Sequence, residues 1–253
     1  MDEDALDALA TAVRRADSTV ALTGAGVSTA SGIPSFRGED GIWDRWDPNA
    51  FHRRRLEADP AGFWTDRVDL RAELVAGDPE PNDAHGALAA MERRGHLDAV
   101  VTQNVDGLHA DAGTDRLVEL HGTNRRVRCD DCGERRPAEP VFERVRDGSV
   151  PPRCDCGGVY RPDVVLFGES LDDDALDRAQ RLARESDVFL AVGSSLSVRP
   201  AALLPRIAVD ADASLAIVNF EPTPRDGDAD HLFREDVTDL LPALEARVRR
   251  CQG

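Results

Sequence analysis

The chain of 253 residues contains no lysine; all 31 of its basic residues are arginine. Aromatic residues are scarce at 5%, with Tyr160 the single tyrosine. No apolar run approaches the roughly 20 residues that cross a bilayer, so no membrane partner is expected. No leader is expected either: Met1-Asp2-Glu3-Asp4 is acidic, unlike a secretory signal or transit peptide, and a cytoplasmic protein is the expectation. Negative charge, by contrast, is abundant. The 48 Asp and Glu residues leave a formal net charge of −17. An acidic, lysine-free surface suits concentrated salt, where a Debye length of about 3 Å at 1 M screens self-repulsion. A GC-rich genome also favours Arg over Lys; the acidity points further, to a halophilic prokaryote. It speaks against direct nucleic-acid binding, which needs a positive face.

The length suits one large α/β domain, or one carrying a small insert. Leu6, Leu9, Ala10 and Val13 have the spacing of an amphipathic helix. Residues 19–23 read as a buried strand that runs into Gly24-Ala25-Gly26. Similar short runs occur at 99–102, 117–120, 188–192 and 214–218, with helical patterns at 83–94 and 170–185. Ser170 and Asp173 form a capping-box arrangement for the last of these. Alternating strand and helix predicts a Rossmann-like, doubly wound parallel sheet. Two stretches interrupt it. Residues 34–82 read as loops and short helices, and residues 123–163 hold four of the five cysteines. A single domain over 1–253 is expected. Its lobe comprises 1–33, 83–122 and 164–253; a loop and helical module (34–82) and a Cys module (123–163) are inserted in it.

Polar residues follow several of the strands, where open α/β sheets form their ligand crevice. Gly24, Gly26 and Ser28 form a loop whose glycines would let backbone approach a pyrophosphate. A second glycine-punctuated loop, 32–38, carries Phe36 and Arg37, an aromatic group and a cation that want a ligand to cover them. Gln103, Asn104 and Asp106 offer amide donors, amide acceptors and a carboxylate, a set suited to a carboxamide and to ribose hydroxyls. His121 ends the next strand, placed for general-base work near neutrality, with His109 its nearest rival. Gly193, Ser194 and Ser195 follow a fourth strand, and Asn219 and Glu221 a fifth. Together they describe one long groove for a dinucleotide. Cys129-x-x-Cys132 and Cys154-x-Cys156 are separated by 21 residues. Two thiolate pairs with no further ligand candidate nearby in sequence read as a closed, structural zinc site. The arginines around it, Arg125, Arg126, Arg128, Arg135 and Arg136, read as a solvated basic face.

In this order, GAGVS at 24–28, GIPSFRG at 32–38, TQNVDGLH at 102–109, HG at 121–122, the four cysteines, VVLFGE at 164–169, GSSLSV at 193–198 and VNFE at 218–221 resemble the sirtuin family along nearly the whole chain. The resemblance implies an NAD-dependent protein-lysine deacylase with acyl-lysine proteins or peptides as partners, NAD as co-substrate and one structural zinc ion. The acyl oxygen would attack the ribose carbon that bears nicotinamide, giving an imidate. His121 would take a proton, directly or by relay, from the ribose hydroxyl that then attacks. Free lysine, nicotinamide and O-acyl-ADP-ribose would result. The resemblance places Ala25, Arg37, Gln103, Ser194, Asn219 and Glu221 along the adenosine, phosphates and ribose, and Ile33, Asn104 and Asp106 around nicotinamide. Phe36 would shield the reactive carbon, Trp43 would join the cofactor set, and the Val237 backbone would lie near adenine. A substrate peptide would add as a strand between 165–168 and the Ser197–Val198 loop, with Val165, Phe167 and Gly168 along the lysine stem.

The chain departs from the succinyl- and malonyl-preferring sirtuins. Where those carry a Tyr-x-x-Arg pair, it has Val68 and Arg71; Arg71 stays in the substrate set, and acetyl is the expected acyl group. Without lysine, the chain cannot regulate itself by side-chain lysine acetylation. A mono-ADP-ribosyltransferase using the same NAD site is the alternative enzyme. A non-catalytic NAD-sensing module and a nucleic-acid-binding zinc protein are the alternatives from other classes.

Overall fold

The computed structural model describes residues 1–35 and 41–249. Phe36, Arg37 and the lone Cys251 lie outside the described residues. Helix α1 (Glu3–Arg15) is capped by Asp2, whose carboxylate accepts from Ala5 N at 3.1 Å. Acidic residues fill its first turn and Arg14 and Arg15 its last, matching the helix dipole. Next come β1 (Thr19–Thr23), then α2 (Ile42–Arg45), α3 (Arg53–Ala58), α4 (Pro60–Leu74) and α5 (Asp83–Arg93). Strand β2 (Ala99–Thr102), α6 (Leu108–Asp111) and β3 (Leu117–Glu119) complete the first half of the sheet. The cysteine-rich segment forms β4 (Gly122–Cys129), β5 (Arg135–Pro137), α7 (Glu139–Arg146) and β6 (Tyr160–Val164). The chain then returns through α8 (Asp173–Glu185), β7 (Val188–Val192), α9 (Leu204–Val209), β8 (Ser214–Val218), β9 (His231–Phe233) and α10 (Val237–Arg249).

The main sheet has six parallel strands in the order β3-β2-β1-β7-β8-β9. Strand β1 lies between β2 and β7, so the order reverses beside it; this switch point is where doubly wound sheets open a crevice. Every residue of β1 and β7 is buried, as expected of strands covered on both faces. Alternate side chains serve opposite layers. Ala21, Val100 and Leu190 pack with α1, α5 and α10, whereas Val20, Leu22, Val101 and Phe189 pack with α8 and α9.

Two expectations change. Helix α8 begins at Asp173 and is capped by Asp172, whose side chain accepts from Ala175 N at 3.0 Å; the expected Ser170 cap lies outside it. A carboxylate nearer the helix both accepts that bond and favours the positive dipole end. The stretch 34–82 also contains one full-length helix, α4, of 15 residues. The cysteine-rich segment forms an antiparallel sheet, β5-β4-β6. It shares a single apolar core with α3, α4 and α7: Phe63, Trp64, Val127, Phe142 and Tyr160 pack together. Trp64 Nε1 donates to Tyr160 O at 2.7 Å, and its ring meets Phe142 edge-on at 5.3 Å.

Glycine geometry yields a paired expectation. Gly193 has φ +60, and a Cβ there would lie 2.5 Å from Val27 N. Gly193→Ala is expected to destabilise the fold by about 1–3 kcal/mol. Exposed Gly86, inside α5 with open space around it, is the contrast: Gly86→Ala should stabilise by about 0.5–1 kcal/mol. Urea titrations of both variants check the opposite signs.

Candidate active site

Strands β1, β2, β3, β7 and β8 all point their carboxyl ends to one edge of the sheet; glycine or a polar residue follows each directly, except that Leu120 precedes His121 after β3. The loops after β1 and β7 touch backbone to backbone. Gly24 N donates to Val192 O at 3.1 Å and Gly26 N to Gly193 O at 2.8 Å. A Cβ on Gly24 would lie 2.7 Å from Gly193 O, and one on Gly26 2.8 Å from Gly193 Cα. The missing side chains of these glycines, which were expected to let backbone approach a pyrophosphate, also admit the neighbouring loop. Ala25 sits between them, opening a short 3-10 turn.

Asn104, 6% exposed, organises the floor beside Ile33. Its Nδ2 donates to Gly24 O and to Ser28 Oγ, both at 3.1 Å, and its backbone N–H to Thr102 Oγ1 at 3.0 Å. The Ser28 hydroxyl donates to Asp106 Oδ2 at 2.8 Å, and Asp106 Oδ1 accepts from Leu108 N at 2.9 Å. Asn104, Ser28 and Asp106 therefore form one polar chain across two loops. Gln103 takes another direction: its Nε2 donates to Ser194 Oγ at 2.7 Å. This contact ties the β2 and β7 ends together.

His121 Nδ1 lies 3.0 Å from Gln103 O. A carbonyl only accepts, so in the neutral ring Nδ1 carries the proton and Nε2 the lone pair. Residues 165–168 run beside this histidine and are held at both ends. Val165 N donates to His121 O at 2.9 Å, and Phe167 O accepts from Arg53 N at 3.0 Å. The Phe167 ring meets Trp43 edge-on at 5.1 Å. Gly168, at φ +84, leaves no room for a side chain, since a Cβ would fall 2.2 Å from the His52 ring. Farther along the edge, Ser195 Oγ and Ser197 Oγ are 2.8 Å apart, ahead of Val198. Between them buried Leu196 holds a left-handed φ of 51°, strain of the kind found in ligand loops. Asn219 Nδ2 donates to Glu221 O at 2.8 Å. Val237 is buried at the start of α10.

Arg71 lines a cavity together with Ile33 and Asp106; its guanidinium bonds Glu139 at 2.5 Å and lies 4.6 Å above the Phe142 ring, both on α7.

The four cysteine Sγ atoms lie within 4.8 Å of one another, with Cys129 and Cys156 at 3.5 Å and Cys132 and Cys154 at 3.6 Å. Four sulfurs about 2.3 Å from one tetrahedral ion would be separated by roughly 3.8 Å, so the donor set fits a single metal. A carboxylate does approach, which sequence spacing had not indicated: Glu134 Oε2 accepts from Cys154 Sγ at 3.0 Å and from the Tyr160 hydroxyl at 3.1 Å. Strand β5 starts at the next residue and brings it there. Most of the surrounding arginines are neutralised. Arg126 and Arg135 share Asp163, at 3.1 and 3.0 Å, and Arg136 pairs with Glu134 and Asp155.

Several groups under the site have contacts that sequence reasoning did not foresee, His109 among them although it was weighed as a base. His109 Nε2 is 2.8 Å from Thr23 Oγ1, which itself donates to Thr102 Oγ1 at 2.9 Å. His109 must then donate through Nε2, and its buried Nδ1 has no partner among the described residues. Its ring lies 4.8 Å from that of His85, whose Nε2 is 3.5 Å from Ser28 Oγ. Both rings are buried. The available signals were the threonines that end β1 and β2 and the Asn82-x-x-His85 cap of α5. Arg234, which donates to Asn219 O at 2.8 Å, left no local signal.

A Sir2 family model matches residues 24–200 of the chain. A NAD-dependent protein deacetylase of Haloarcula marismortui is 68% identical over 98% of this chain and 96% of that protein. Another of that name, from Saccharolobus solfataricus, is 44% identical over 92% of each. A solved Sir2 enzyme, described under the mechanism and regulation of that class, has a TM-score of 0.87 at 40% identity, covering 99% of this chain and all of its own. A Sir2 complex with p53 peptide and NAD+ has a TM-score of 0.85 at 35% identity, covering 94% of this chain and 96% of its own. The chain belongs to the Sir2 family.

The two buried imidazoles make stability depend on pH. Burial holds His85 down to about 4, against the pull of Asp106; burial and then His85 hold His109 down to about 3. Both are below the unfolded value of about 6.5, so the unfolded chain binds more protons between those limits. The stability they contribute is complete above about pH 6.5 and is lost as pH falls towards 4. Melting temperatures are expected to drop already between pH 6.5 and 5, above the range where carboxylates titrate. His109→Gln should flatten that part of the profile.

Proposed function

We propose that this chain is an NAD-dependent protein-lysine deacylase that transfers the acyl group of a lysine side chain to ADP-ribose and releases nicotinamide. The carrying observation is the convergence of five strand ends on one edge, where Asn104 and Asp106 meet on the Ser28 hydroxyl, Gln103 bonds Ser194 and His121 bonds the Gln103 carbonyl. Sir2 relatives named as NAD-dependent protein deacetylases, and Sir2 structures holding NAD+ or acetyl-ADP-ribose with peptides, support the reaction.

In this reading Asn104 and Asp106, with Ile33, hold the carboxamide end of NAD. Ser28 fixes the rotamers of both polar side chains. Gln103 and Ser194 hold ribose and phosphate, backed by Ala25 and Ser195, with Asn219, Glu221 and the Val237 backbone towards adenosine. Phe36 serves to shield the reactive carbon, and Arg37 and Trp43 belong to the cofactor set. His121 acts through Nε2 as the base, because Gln103 O fixes the other nitrogen as a donor. The acyl-lysine peptide adds as a strand between 165–168 and Ser197–Val198, with its lysine stem along Val165 and Phe167. Acetyl is the simplest acyl group served. Cys129, Cys132, Cys154 and Cys156 hold one structural zinc ion that takes no part in the reaction. The lobe, the 34–82 module and the 123–163 module work as one catalytic unit. Among the described residues no helix is long and apolar enough to cross a membrane, and we place the enzyme in the cytoplasm of a salt-adapted cell.

Incubation with NAD and an acetyl-lysine peptide should give nicotinamide, O-acetyl-ADP-ribose and free lysine by mass spectrometry. Nicotinamide release without peptide, or ADP-ribose attached to protein, would overturn the reading. His121→Ala is expected to lower turnover by about 100- to 10,000-fold with NAD affinity preserved by calorimetry. Chelation should melt β4–β6 and, through the shared core, α4. Loss of far-ultraviolet dichroism together with quenching changes at Trp64 would report it.

A further inference from the structure

Residues 165–168 follow β6 and lie outside both sheets. Leu166 is buried in the core shared with α3, α4 and α7, and alternation turns Val165 and Phe167 to the other face. What fixes the segment is charge. Arg161 in β6 is 2% exposed, and its guanidinium grips Glu169 at both oxygens: Nη1 donates to Oε1 at 2.5 Å and Nη2 to Oε2 at 2.6 Å. Arg161 Nη2 also donates to Val164 O at 2.7 Å. Glu169 in turn holds both backbone groups of Leu166. Its Oε2 accepts from Leu166 N at 2.8 Å, and its own N donates to Leu166 O at 3.1 Å.

Arg53 extends the arrangement to α3. Its backbone N donates to Phe167 O, while its Nη1 donates to Asp130 Oδ2 at 2.5 Å and lies 3.8 Å from Glu169 Oε1. Asp130 Oδ1 is 3.9 Å from Arg161 Nη1. Arg161, Glu169, Arg53 and Asp130 thus close a ring of alternating charge beside the segment. A buried ion pair is a poor source of net stability, because desolvation offsets the attraction. What a two-pronged pair supplies is direction. A segment ordered in advance also spares an incoming peptide the cost of ordering it.

We propose that Arg161 and Glu169 are positioning residues for the acyl-lysine peptide: their paired side chains hold 165–168 as a preformed strand on which the peptide adds. The proposal rests on the deacylase reading.

A pair that only stabilised the fold would, when broken, lower the active fraction and so kcat at constant peptide KM. A positioning pair acts on KM. In Glu169→Gln the amide oxygen can still accept from Leu166 N, but the charge is gone. Its KM for an acetyl-lysine peptide is expected to rise by about tenfold or more, with kcat at saturating peptide within about twofold of the wild type and NAD affinity by calorimetry unchanged. A fall in kcat at unchanged KM overturns the proposal. The wild type supplies a second measurement, which decides the matter if Glu169→Gln does not fold. Without peptide, its Leu166 amide should exchange with deuterium about a hundredfold more slowly than an unbonded loop amide, as read by nuclear magnetic resonance. Exchange at the open-loop rate overturns the proposal as well. A wild type that leaves acetyl-lysine peptide intact overturns the deacylase reading itself, and this proposal with it.

Discussion

The contact between the loops after β1 and β7 is the constraint on which the site depends. Gly24 and Gly26 lie against Gly193 so closely that none of the three tolerates a Cβ. Two parallel strands with helices on opposite faces would diverge at their carboxyl ends. Here their first loop residues are hydrogen-bonded instead, Gly26 N to Gly193 O. That closure brings the Gly24 carbonyl under Asn104 and Ser194 within reach of Gln103. The positions of the polar side chains at this edge therefore begin with backbone packing.

Beneath those side chains lies a second polar layer. Thr23, Thr102, His109 and His85 connect the strand ends to α5 and α6. The two imidazoles are kept neutral by burial, and one nitrogen of His109 is left unbonded. Such a layer costs stability and gains orientation: the threonine hydroxyls and Ser28 have few alternative partners, so Asn104 and Asp106 have one arrangement each.

The parts of the molecule legible from sequence were those governed by local pattern. Buried strands, the polar residues that follow them, His121 and the paired cysteines all sit where alternation and spacing put them. Physical reasons explain the rest. The glycines at 24 and 26 look alike whether their space is used by phosphate or by protein, and only Gly193, 167 residues after Gly26, decides it. Asp172 displaced Ser170 as the α8 cap because both are good caps and the returning loop chose between them. Arg67 reads as one more charge on a helix; its burial is produced by Asn124 and the edge of β4, far away in the chain. Glu134 reaches Cys154 only because β5 pairs with β4.

The core shared by α4 and the cysteine-bearing sheet bears on how the protein is made. Trp64 precedes the Tyr160 carbonyl that it bonds by 96 residues. During synthesis the apolar side of α4 leaves the ribosome well before Tyr160 and the second cysteine pair exist. At elongation speeds of about 5–20 residues per second, that face waits several seconds uncovered. The newborn chain thus passes through a stage in which its largest buried side chain is open to chaperones or to other nascent chains, and formation of the cysteine-bearing sheet ends that stage.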